Sequence, residues 1–463
     1  MAIHQFDTID AALLKRYSRP GPRYTSYPTA PVFAPDFTSA DYRAEIERTN
    51  ANPAAPPLSL YFHIPFCDTL CYFCGCNMMV TRDREKIATY VDYVKRELEL
   101  VRPLIREDRP VTQIAWGGGT PTYLHPDEIR DLADTTRRLF PFAENIEAGV
   151  EIDPRDMTRD HLVALKEGGF TRISMGVQDF NPKVQEAVNR FQSEEITVRV
   201  LDWAHELGFT SVNLDLIYGL PFQTLETFEQ TLDSIIAIDP DRIAVFNYAH
   251  VPWMKKHMSL IHAEDLPTPE EKLRITIRTI EKLNEAGYLY VGMDHFAKPD
   301  NELAVAQRTK TLYRNFQGYT THAGADLYGF GITSIGQFDR MYAQNVKTLG
   351  EYYQRIDAGE LATHVGCLLS DDDMLRRDVI MTLMCDFELD KRAFETKYGI
   401  DFDAYFADAY PRLDELVGDG LVRITPDAID AKGLGMLLIR NVAMAFDAYL
   451  PKQMEKPIFS RTV

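Results

Sequence analysis

The sequence lacks the features of a membrane-spanning or exported protein. No stretch reaches about eighteen consecutive uncharged apolar residues, the length that a helix needs to cross a bilayer. Residues 1–7 have no basic region followed by an apolar core, so we expect no secretory signal there. We therefore expect no membrane association and a location in the cytoplasm.

Basic residues are also in short supply. The 50 Lys and Arg residues face 69 Asp and Glu residues, which gives a net charge of −19. Such a charge repels nucleic acids and anionic membrane surfaces, so we expect neither as a general partner. No internal repeat is evident, and 463 residues suffice for one large barrel and a smaller domain. We expect the chain to act as a monomer.

Cysteine is scarce, yet four of the six cysteines fall between Cys67 and Cys76. Cys67, Cys71 and Cys74 have the spacing C-x3-C-x2-C. Three thiolates in so short a loop can converge on one metal centre, and they supply three of the four ligands that a [4Fe–4S] cluster normally takes from cysteine. One iron would then stay open to a small molecule. Clustered, unpaired thiols also fit a reducing compartment.

Two other interpretations of these cysteines are weaker. Any one of them alone would be typical of a small buried apolar residue. A structural zinc site with Cys76 as its fourth ligand is the serious alternative. Zinc sites usually pair ligands from two separate knuckles, however, and the chain has no second C-x2-C. We therefore expect an open-iron cluster that Cys76 does not ligate, and we expect the isolated Cys367 and Cys385 to be inert core thiols.

The cysteine motif and the preceding segment YFHIPF, residues 61–66, resemble those of the radical S-adenosylmethionine (SAM) enzymes. This resemblance implies that the amino and carboxylate groups of SAM chelate the open iron. It also implies that an electron from the cluster cleaves the sulfonium and releases a 5′-deoxyadenosyl radical, which abstracts hydrogen. A low-potential electron donor is then required as a partner.

From residue 58 onward strands and helices alternate, which is typical of a parallel sheet wrapped by helices. Strands are predicted at 58–66, 111–117, 147–153, 172–178, 211–217 and 242–249. Helices are predicted at 84–105, 126–140, 159–168, 196–208, 224–238 and 269–286. These six units predict an α/β fold with an incomplete TIM-type (β/α)6 barrel. The resemblance to radical SAM enzymes implies the same architecture. The apolar run 288–296 predicts one more strand at the open edge.

Side-chain alternation along the strands predicts where a ligand lies. Residues two apart on a strand share a face, and one face turns polar towards the carboxyl end while the other stays apolar. The polar set comprises Tyr61 and His63, Glu151 and Asp153, Ser174, Gly176 and Gln178, and Asn213 and Asp215. One buried carboxylate alone would more often be structural. Because barrels build active sites at this end, the whole set predicts a ligand-filled mouth.

The second predicted strand ends in a glycine-rich turn, Gly117–Pro121. Glycine lets the backbone approach a ligand closely and expose its N–H and C=O groups. Alone such a turn is a weak signal. On the same rim as the cysteine loop, it resembles the radical SAM motif that contacts the methionyl amino group of SAM.

Two further segments flank the barrel. We assign residues 1–57 to a Pro-rich, extended N-terminal strap, 58–364 to the barrel with its edge extension, and 365–463 to a mostly helical C-terminal domain. The last segment resembles a winged helix, which raises DNA binding as an alternative. Residues 401–430 carry 8 acidic and 2 basic side chains, a net charge of −6. That charge argues against DNA binding and favours a lid or packing module.

Nearly the whole chain resembles the oxygen-independent coproporphyrinogen III oxidases. Besides the cysteines, the segments that carry the resemblance are residues 21–30, 116–124, 213–221, 245–250, 292–296 and 314–319. The resemblance implies oxidative decarboxylation of two propionates of coproporphyrinogen III to vinyl groups, which gives protoporphyrinogen IX, with two SAM molecules bound. The alternative is a haem-chaperone paralogue without turnover. That paralogue lacks the early N-terminal signature and the fourth cysteine, and this chain has both.

The resemblance also assigns roles to individual residues. Those implied to contact the SAM on the cluster are Tyr61, Gly118, Glu151 and Ile335. Those implied to contact the second SAM are Phe73, Gly119, Thr120, Gln178, Arg190, Asp215 and Ala249. His63 shares a strand face with Tyr61 and is the candidate for a place between cluster and substrate. Because the substrate carries four propionates, we expect local cations at the mouth, and the candidates in or beside the shared segments are Arg23, Lys298 and Arg314.

Overall fold

The computed structural model describes residues 10–453 and 459–462. The segment that the sequence predicts not to be a secretory signal, residues 1–7, lies outside the described residues. Among those described, no helix is long and apolar enough to span a bilayer.

Six parallel strands form the centre of the protein, and each is followed by a helix. The strands are β1 Leu58–Ile64, β2 Val111–Gly118, β3 Phe142–Ile152, β4 Arg172–Gln178, β5 Ser211–Tyr218 and β6 Arg242–Asn247. The helices are α1 Arg84–Val101, α2 Pro126–Leu139, α3 Arg159–Glu167, α4 Glu194–Glu206, α5 Leu225–Ile238 and α6 Pro269–Glu285. Neighbouring strands pair in parallel from β1 to β6. The predicted (β/α)6 barrel is therefore confirmed.

Six further strands extend the sheet at its two edges. They are β7 Leu289–Gly292, β8 His295–Ala297, β9 Asp326–Phe330, β10 Ile335–Phe338, β11 Met341–Asn345 and β12 Thr363–Leu368. The strand order is β12-β11-β10-β9-β1-β2-β3-β4-β5-β6-β8-β7. The single strand predicted over 288–296 was wrong, because the chain reverses at Gly292 and Met293, which both have positive φ, and returns antiparallel. β12 also spans the predicted domain boundary at 365.

The two faces of the barrel strands differ as their alternation predicts. The outward side chains pack into the core with the helices, and Phe62, Val150, Met175 and Leu214 are at most 3% exposed. Burial of these apolar side chains contributes roughly 1.5–3 kcal/mol each. The inward side chains of β4, from Arg172 to Gln178, alternate with them and stay partly exposed. The polar face is therefore free to meet a ligand.

The N-terminal segment is less extended than predicted. It forms helices at Ala11–Tyr17 and Ser39–Ala51 and a 3-10 helix at Ala30–Val32. The second helix begins because Thr38 and Asp41 form a capping box. Only the Pro-rich stretch between the helices is largely extended, since each proline biases its predecessor away from helix.

Shorter elements complete the barrel domain. The helices are Pro182–Ala187, Glu302–Arg308 and Leu349–Asp357, and the 3-10 helices are Arg102–Leu104, Pro121–Tyr123, Pro154–Asp156, Lys256–Leu260 and Ala263–Asp265. Two short strand pairs also form, Phe66–Cys67 with Met79–Val80 and Tyr313–Asn315 with Gly318–Thr320.

The C-terminal part is mostly helical, as predicted, around a three-stranded sheet. Its helices are Asp371–Asp386, Lys391–Tyr398, Phe402–Tyr405, Tyr410–Gly418, Leu434–Leu437, Ile439–Ala443 and Leu450–Gln453, with a 3-10 helix at Met444–Phe446. Its strands are Glu388–Asp390, Val422–Ile424 and Ala428–Ala431. The helix Tyr410–Gly418 has Pro411 in its first turn, where the missing N–H of proline costs no hydrogen bond. Cys385 is buried as expected, but Cys367 is partly exposed on β12.

Buried hydrogen bonds join the strap to the C-terminal domain. Arg440 is 4% exposed and donates to the carbonyl oxygens of Pro22, Gly21 and Arg461. The Tyr24 hydroxyl donates to Asp447 at 2.9 Å. The C-terminal domain therefore holds the strap in place, which fits the predicted packing role.

Candidate active site

The cysteine loop leaves the carboxyl end of β1 and is held by three neighbouring segments. Its first strand, Phe66–Cys67, pairs with Met79–Val80. Tyr72 N–H donates to the Val188 carbonyl oxygen at 3.0 Å. From the segment after β6, Lys255 Nζ donates to the Cys76 carbonyl oxygen at 2.9 Å and His257 Nε2 to that of Cys74 at 2.8 Å. The loop backbone is therefore positioned by contacts outside the motif itself.

Each thiol of the loop has a polar neighbour. Cys67 Sγ lies 3.4 Å from Thr120 Oγ1, and Cys71 Sγ accepts from Arg155 and Arg190 at 3.7 Å each. A hydrogen bond with the Cys76 thiol lowers the pKa of Cys74 to about 6 against the effect of burial, and His257 and Lys255 add to the shift.

In the described part of the chain, no three His, Cys, Asp or Glu side chains are gathered closely enough to hold a metal ion. The ligand assignment of Cys67, Cys71 and Cys74 thus stays a prediction. The chemistry of the donor set fits an iron–sulfur cluster all the same. Three thiols share one short loop, and cationic side chains that favour thiolates surround it.

Asp153 gathers two arginines beside the loop. Its carboxylate accepts from Arg155 Nη2 at 2.6 Å and from Arg190 Nη1 at 3.1 Å. Although burial opposes it, these two cations hold the pKa of Asp153 well below its usual range. Arg190 Nη2 also donates to the Gly176 carbonyl oxygen at 2.6 Å. Both terminal nitrogens of Arg190 thus donate to acceptors within the protein. Bidentate hydrogen bonding to a SAM carboxylate would require these bonds to break.

The glycine-rich turn is wedged between β1 and β3. Gly118 has φ +116 and donates its N–H to Glu151 Oε2 at 3.1 Å. A Cβ on Gly118 would lie 2.6 Å from the His63 ring, and one on Gly119 would lie 2.6 Å from the Pro65 carbonyl carbon. A side chain at either position would clash, so glycine is required for this close approach.

Two carboxylates line the inward face near the turn. Although Glu151 is an exposed residue, desolvation by the surrounding protein raises its pKa to about 7, with the Gly118 N–H opposing the shift. Burial raises the pKa of Asp215 to about 6. Asp215 accepts from Ser174 at 3.0 Å and from Asn213 at 2.6 Å. Both carboxylates are acceptors within reach of a ligand bound on this face.

His63 is buried behind the glycine turn. Its Nε2 lies 2.8 Å from the Asn77 carbonyl oxygen, and its Nδ1 lies 3.3 Å from the Tyr61 hydroxyl. Because a carbonyl can only accept, Nε2 donates to Asn77, and Tyr61 then donates to Nδ1. Burial lowers the pKa of His63. Its two nitrogens thus already join the cysteine loop to the strand.

The other predicted contacts occupy the same rim or its borders. Phe73 packs in an apolar cluster with Val188 and Tyr248. Gln178 ends β4 with φ +69, and its amide lies beside Gly176. Ala249 is exposed two residues beyond β6. The backbone of Ile335 packs against Gly329, which pairs with Tyr61.

Two segments bring cations together beside β6. Arg23 from the strap pairs with Asp294, and its guanidinium lies 5.9 Å from the centre of the Phe246 ring. Arg314 is 3% exposed and lies over Tyr319, while its Nε and Nη1 have no hydrogen-bond partner among the described residues. Burial lowers the pKa of Arg23 to about 9, and Arg314 adds to the shift. Burying a guanidinium without an acceptor is unfavourable in free energy, and a bound carboxylate would supply the missing acceptor.

His295 lies beside this cationic region. Its Nδ1 also lacks a hydrogen-bond partner among the described residues. Burial lowers the pKa of His295 to about 3, and Arg314 and Arg23 contribute. The imidazole is therefore neutral at physiological pH and acts as a hydrogen-bonding group rather than a cation.

Lys298 does not belong to this region, which corrects one prediction. Its Nζ lies 2.9 Å from Asp239 Oδ2 and donates to the Asp239 carbonyl oxygen at the end of α5. Because β8 runs antiparallel to β6, the residues after β8 lie at the amino end of β6, away from the mouth.

Sequence reasoning missed several residues around the site. Arg155, Lys255 and His257 all contact the cysteine loop, and His295 lies beside the cationic region. Only His295 carried a signal, since it lies in the segment 292–296. The others sit in or beside short 3-10 helices without motif or periodicity.

A parallel β/α barrel with a C-x3-C-x2-C loop and a glycine-rich turn at the carboxyl ends of its strands defines the class of radical SAM proteins. A family model of the radical SAM superfamily matches residues 61–235, and one of the HemN C-terminal domain matches residues 369–438.

Comparison with known proteins then gives the particular family. The oxygen-independent coproporphyrinogen III oxidase of Synechocystis sp. is 47% identical over 99% of this chain and 99% of its own. That of Salmonella typhimurium is 48% identical over 98% of each chain. The solved structure of the radical SAM enzyme coproporphyrinogen III oxidase (HemN) from Escherichia coli has a TM-score of 0.91 at 47% identity, covering 96% of this chain and 100% of that one. The chain belongs to the family of oxygen-independent coproporphyrinogen III oxidases.

Proposed function

We propose that this protein converts coproporphyrinogen III to protoporphyrinogen IX without oxygen, by oxidative decarboxylation of two propionate side chains. The observation that carries the proposal is the cysteine loop beside the glycine turn and Glu151, in a chain whose relatives share its full length. The test is anaerobic conversion of coproporphyrinogen III followed by chromatography of the oxidised porphyrins. A porphyrin carrier without turnover would give no product.

The radical SAM domain implies a [4Fe–4S] cluster and SAM. When bound, the cluster supplies the electron that cleaves SAM to methionine and a 5′-deoxyadenosyl radical. We assign Cys67, Cys71 and Cys74 as its ligands, and the open iron to SAM. Thr120, Arg155 and Arg190 orient the thiols, and Lys255 and His257 fix the loop backbone.

We further propose that two SAM molecules bind at the mouth. The first would lie against Tyr61, Gly118, Glu151 and Ile335, and the second against Phe73, Gly119, Thr120, Gln178, Arg190, Asp215 and Ala249. What supports this is their common location at the carboxyl ends of the strands or beside them. Glu151 and Asp215 can accept hydrogen bonds from ribose hydroxyls, and Tyr61 and Phe73 offer ring surfaces.

Replacing Glu151 by Gln or Gln178 by Ala is expected to weaken SAM binding about tenfold or more. The first variant removes a charged hydrogen-bond acceptor, and the second removes an amide that can hydrogen-bond to SAM. Arg190 and Asp215 are less suitable for this test, since both hold neighbouring protein groups. Isothermal titration with SAM on the anaerobically reconstituted protein measures the effect, and exposed Gln354→Ala is the control. Unchanged affinity in both variants, or loss of the cluster in both, would show that these residues support the structure and do not bind SAM.

Replacing Arg314 by Gln is expected to raise the KM for coproporphyrinogen III about tenfold to a hundredfold, because a buried cation that meets a propionate is lost. Without substrate the variant should be at least as thermally stable as the wild type, since an unpaired buried charge is removed. Lys298→Gln is the matched control, because that cation lies at the far end of the strand. A lower melting temperature with unchanged KM would show that Arg314 supports the fold only.

A further inference from the structure

The surface around the cysteine loop is unusually apolar. Nine large apolar side chains are exposed in the described part of the chain, and five of them lie in segments that contact or flank this loop. They are Val80 at 43%, Phe191 at 62%, Trp253 at 66%, Met254 at 62% and Leu260 at 51% exposed. Scattered exposed apolar residues are normal, but a concentration of this kind marks an interaction site.

Backbone contacts tie these side chains to the cysteines. Val80 pairs with Cys67 in the short parallel ladder. Phe191 lies two residues after Asn189, whose side chain donates to the Leu70 carbonyl oxygen at 2.9 Å. Trp253, Met254 and Leu260 belong to the segment that holds the carbonyl oxygens of Cys74 and Cys76. We call these five residues the loop patch.

The segment that carries three of the five patch residues, Trp253, Met254 and Leu260, has a charge opposite to that of the protein. From Tyr248 to Ala263 the sequence contains two lysines, Lys255 and Lys256, three histidines and no Asp or Glu. Lys256 is exposed. The first carboxylates that follow are Glu264 and Asp265. A basic surface on a chain of net charge −19 orients an acidic partner, because the rest of the molecule repels it.

We propose that the loop patch and Lys256 form the docking surface for a small acidic electron-transfer protein that reduces the cluster. The inference rests on the proposed function, which requires one electron for each SAM cleaved. One electron passes from the reduced carrier to the cluster. The carrier is thereby oxidised by one electron and the cluster reduced by one, and no bond forms or breaks.

The composition of the patch suits such a partner. Aromatic and Met side chains are enriched at protein interfaces. Weak electron-transfer complexes have interfaces of small area. Rim lysines then act mainly on the association rate and its salt dependence. A carrier seated here lies against the segments that hold the cysteine loop, which shortens the path for the electron.

The experiment uses the reconstituted full-length protein and an acidic flavodoxin as the probe. Binding of oxidised flavodoxin gives a Kd by fluorescence anisotropy, and reduced flavodoxin drives 5′-deoxyadenosine formation in the presence of coproporphyrinogen III. Trp253→Ala, Leu260→Ala and Lys256→Glu are each expected to raise both the Kd and the KM for flavodoxin at least fivefold. With dithionite as reductant, their rates should equal that of the wild type. Raising the salt concentration should weaken wild-type binding.

Matched variants elsewhere on the surface are the controls. Leu368→Ala changes a side chain that is 55% exposed, and Lys432→Glu reverses an exposed charge in the C-terminal domain. Both should leave flavodoxin binding unchanged. The inference is overturned if the wild type neither binds nor accepts electrons from flavodoxin, if the patch variants behave as the controls do, or if they lose dithionite-driven activity equally. Failure of the wild type with dithionite would instead refute the proposed function.

Discussion

Replacing Cys67, Cys71 or Cys74 by Ser is expected to abolish both cluster assembly and SAM cleavage. Three thiolates are the whole protein contribution to an open-iron cluster, so losing one leaves two ligands for four irons. Iron and sulfide content after anaerobic reconstitution, together with the visible absorption of the cluster, measures the first effect. Chromatography of 5′-deoxyadenosine measures the second.

Cys76→Ser is the matched control, because Cys76 lies in the same loop. It should keep its iron and sulfide, because a Ser hydroxyl can still donate the hydrogen bond that lowers the pKa of Cys74. Partly exposed Cys367→Ser should also behave as wild type. Full cluster content in any of the first three variants, or complete loss in Cys76→Ser, would falsify the ligand assignment.

Replacing Arg109 by Met is expected to destabilise the fold by about 3–5 kcal/mol, because a buried carboxylate loses its partner. Arg109 and Asp326 are each 2% exposed and join at 2.6 Å, at the start of β2 and β9. Arg109 also donates to Asn50 at 2.8 Å and to the Pro56 carbonyl oxygen, so it anchors the N-terminal segment to the barrel. Urea unfolding of the two proteins measures the loss.

The pH dependence of this loss provides a second check. Burial already raises the pKa of Asp326 to about 6, although Arg109 opposes the shift. Without Arg109, the protonated form of Asp326 has the lower free energy in the buried site. The destabilisation should therefore be smallest at pH 5 and grow as the pH rises above 6. Arg106→Met is the control, since its partner Asp108 is exposed to solvent and the ion pair contributes little to stability. An equal loss at pH 5 and pH 8 would contradict this explanation.

The barrel could be predicted from sequence because its signals are local. Strands such as Arg172–Gln178 alternate apolar and polar side chains, and helices such as Arg84–Val101 repeat apolar positions at helical spacing. The edge extensions could not. β10 and β11 form a short hairpin, and their place in the sheet depends on the parallel pairing of β9 with β1, which lies far away in the sequence. At residues 288–296 a continuous apolar run conceals a reversal that only the positive φ values of Gly292 and Met293 reveal.

The site divides in the same way. The cysteine motif and the glycine turn are each formed by residues close together in the sequence. Their spacing therefore predicted a cluster site and a turn beside it. The contacts of Arg190 with Asp153 and Gly176 were harder to predict, because they depend on how its loop packs against the ends of β3 and β4. Lys298 shows the opposite error. It is close in sequence to His295, yet antiparallel pairing of β8 with β6 carries it to the other end of the barrel.

The most direct test of the proposed function is one anaerobic turnover assay on the reconstituted wild-type protein with dithionite, SAM and coproporphyrinogen III. We expect 5′-deoxyadenosine and methionine to form together with a tricarboxylic intermediate and protoporphyrinogen IX, and none of the porphyrin products when SAM is omitted. Binding of coproporphyrinogen III without SAM cleavage or loss of propionate carboxyl groups would contradict the function and leave a porphyrin carrier in its place.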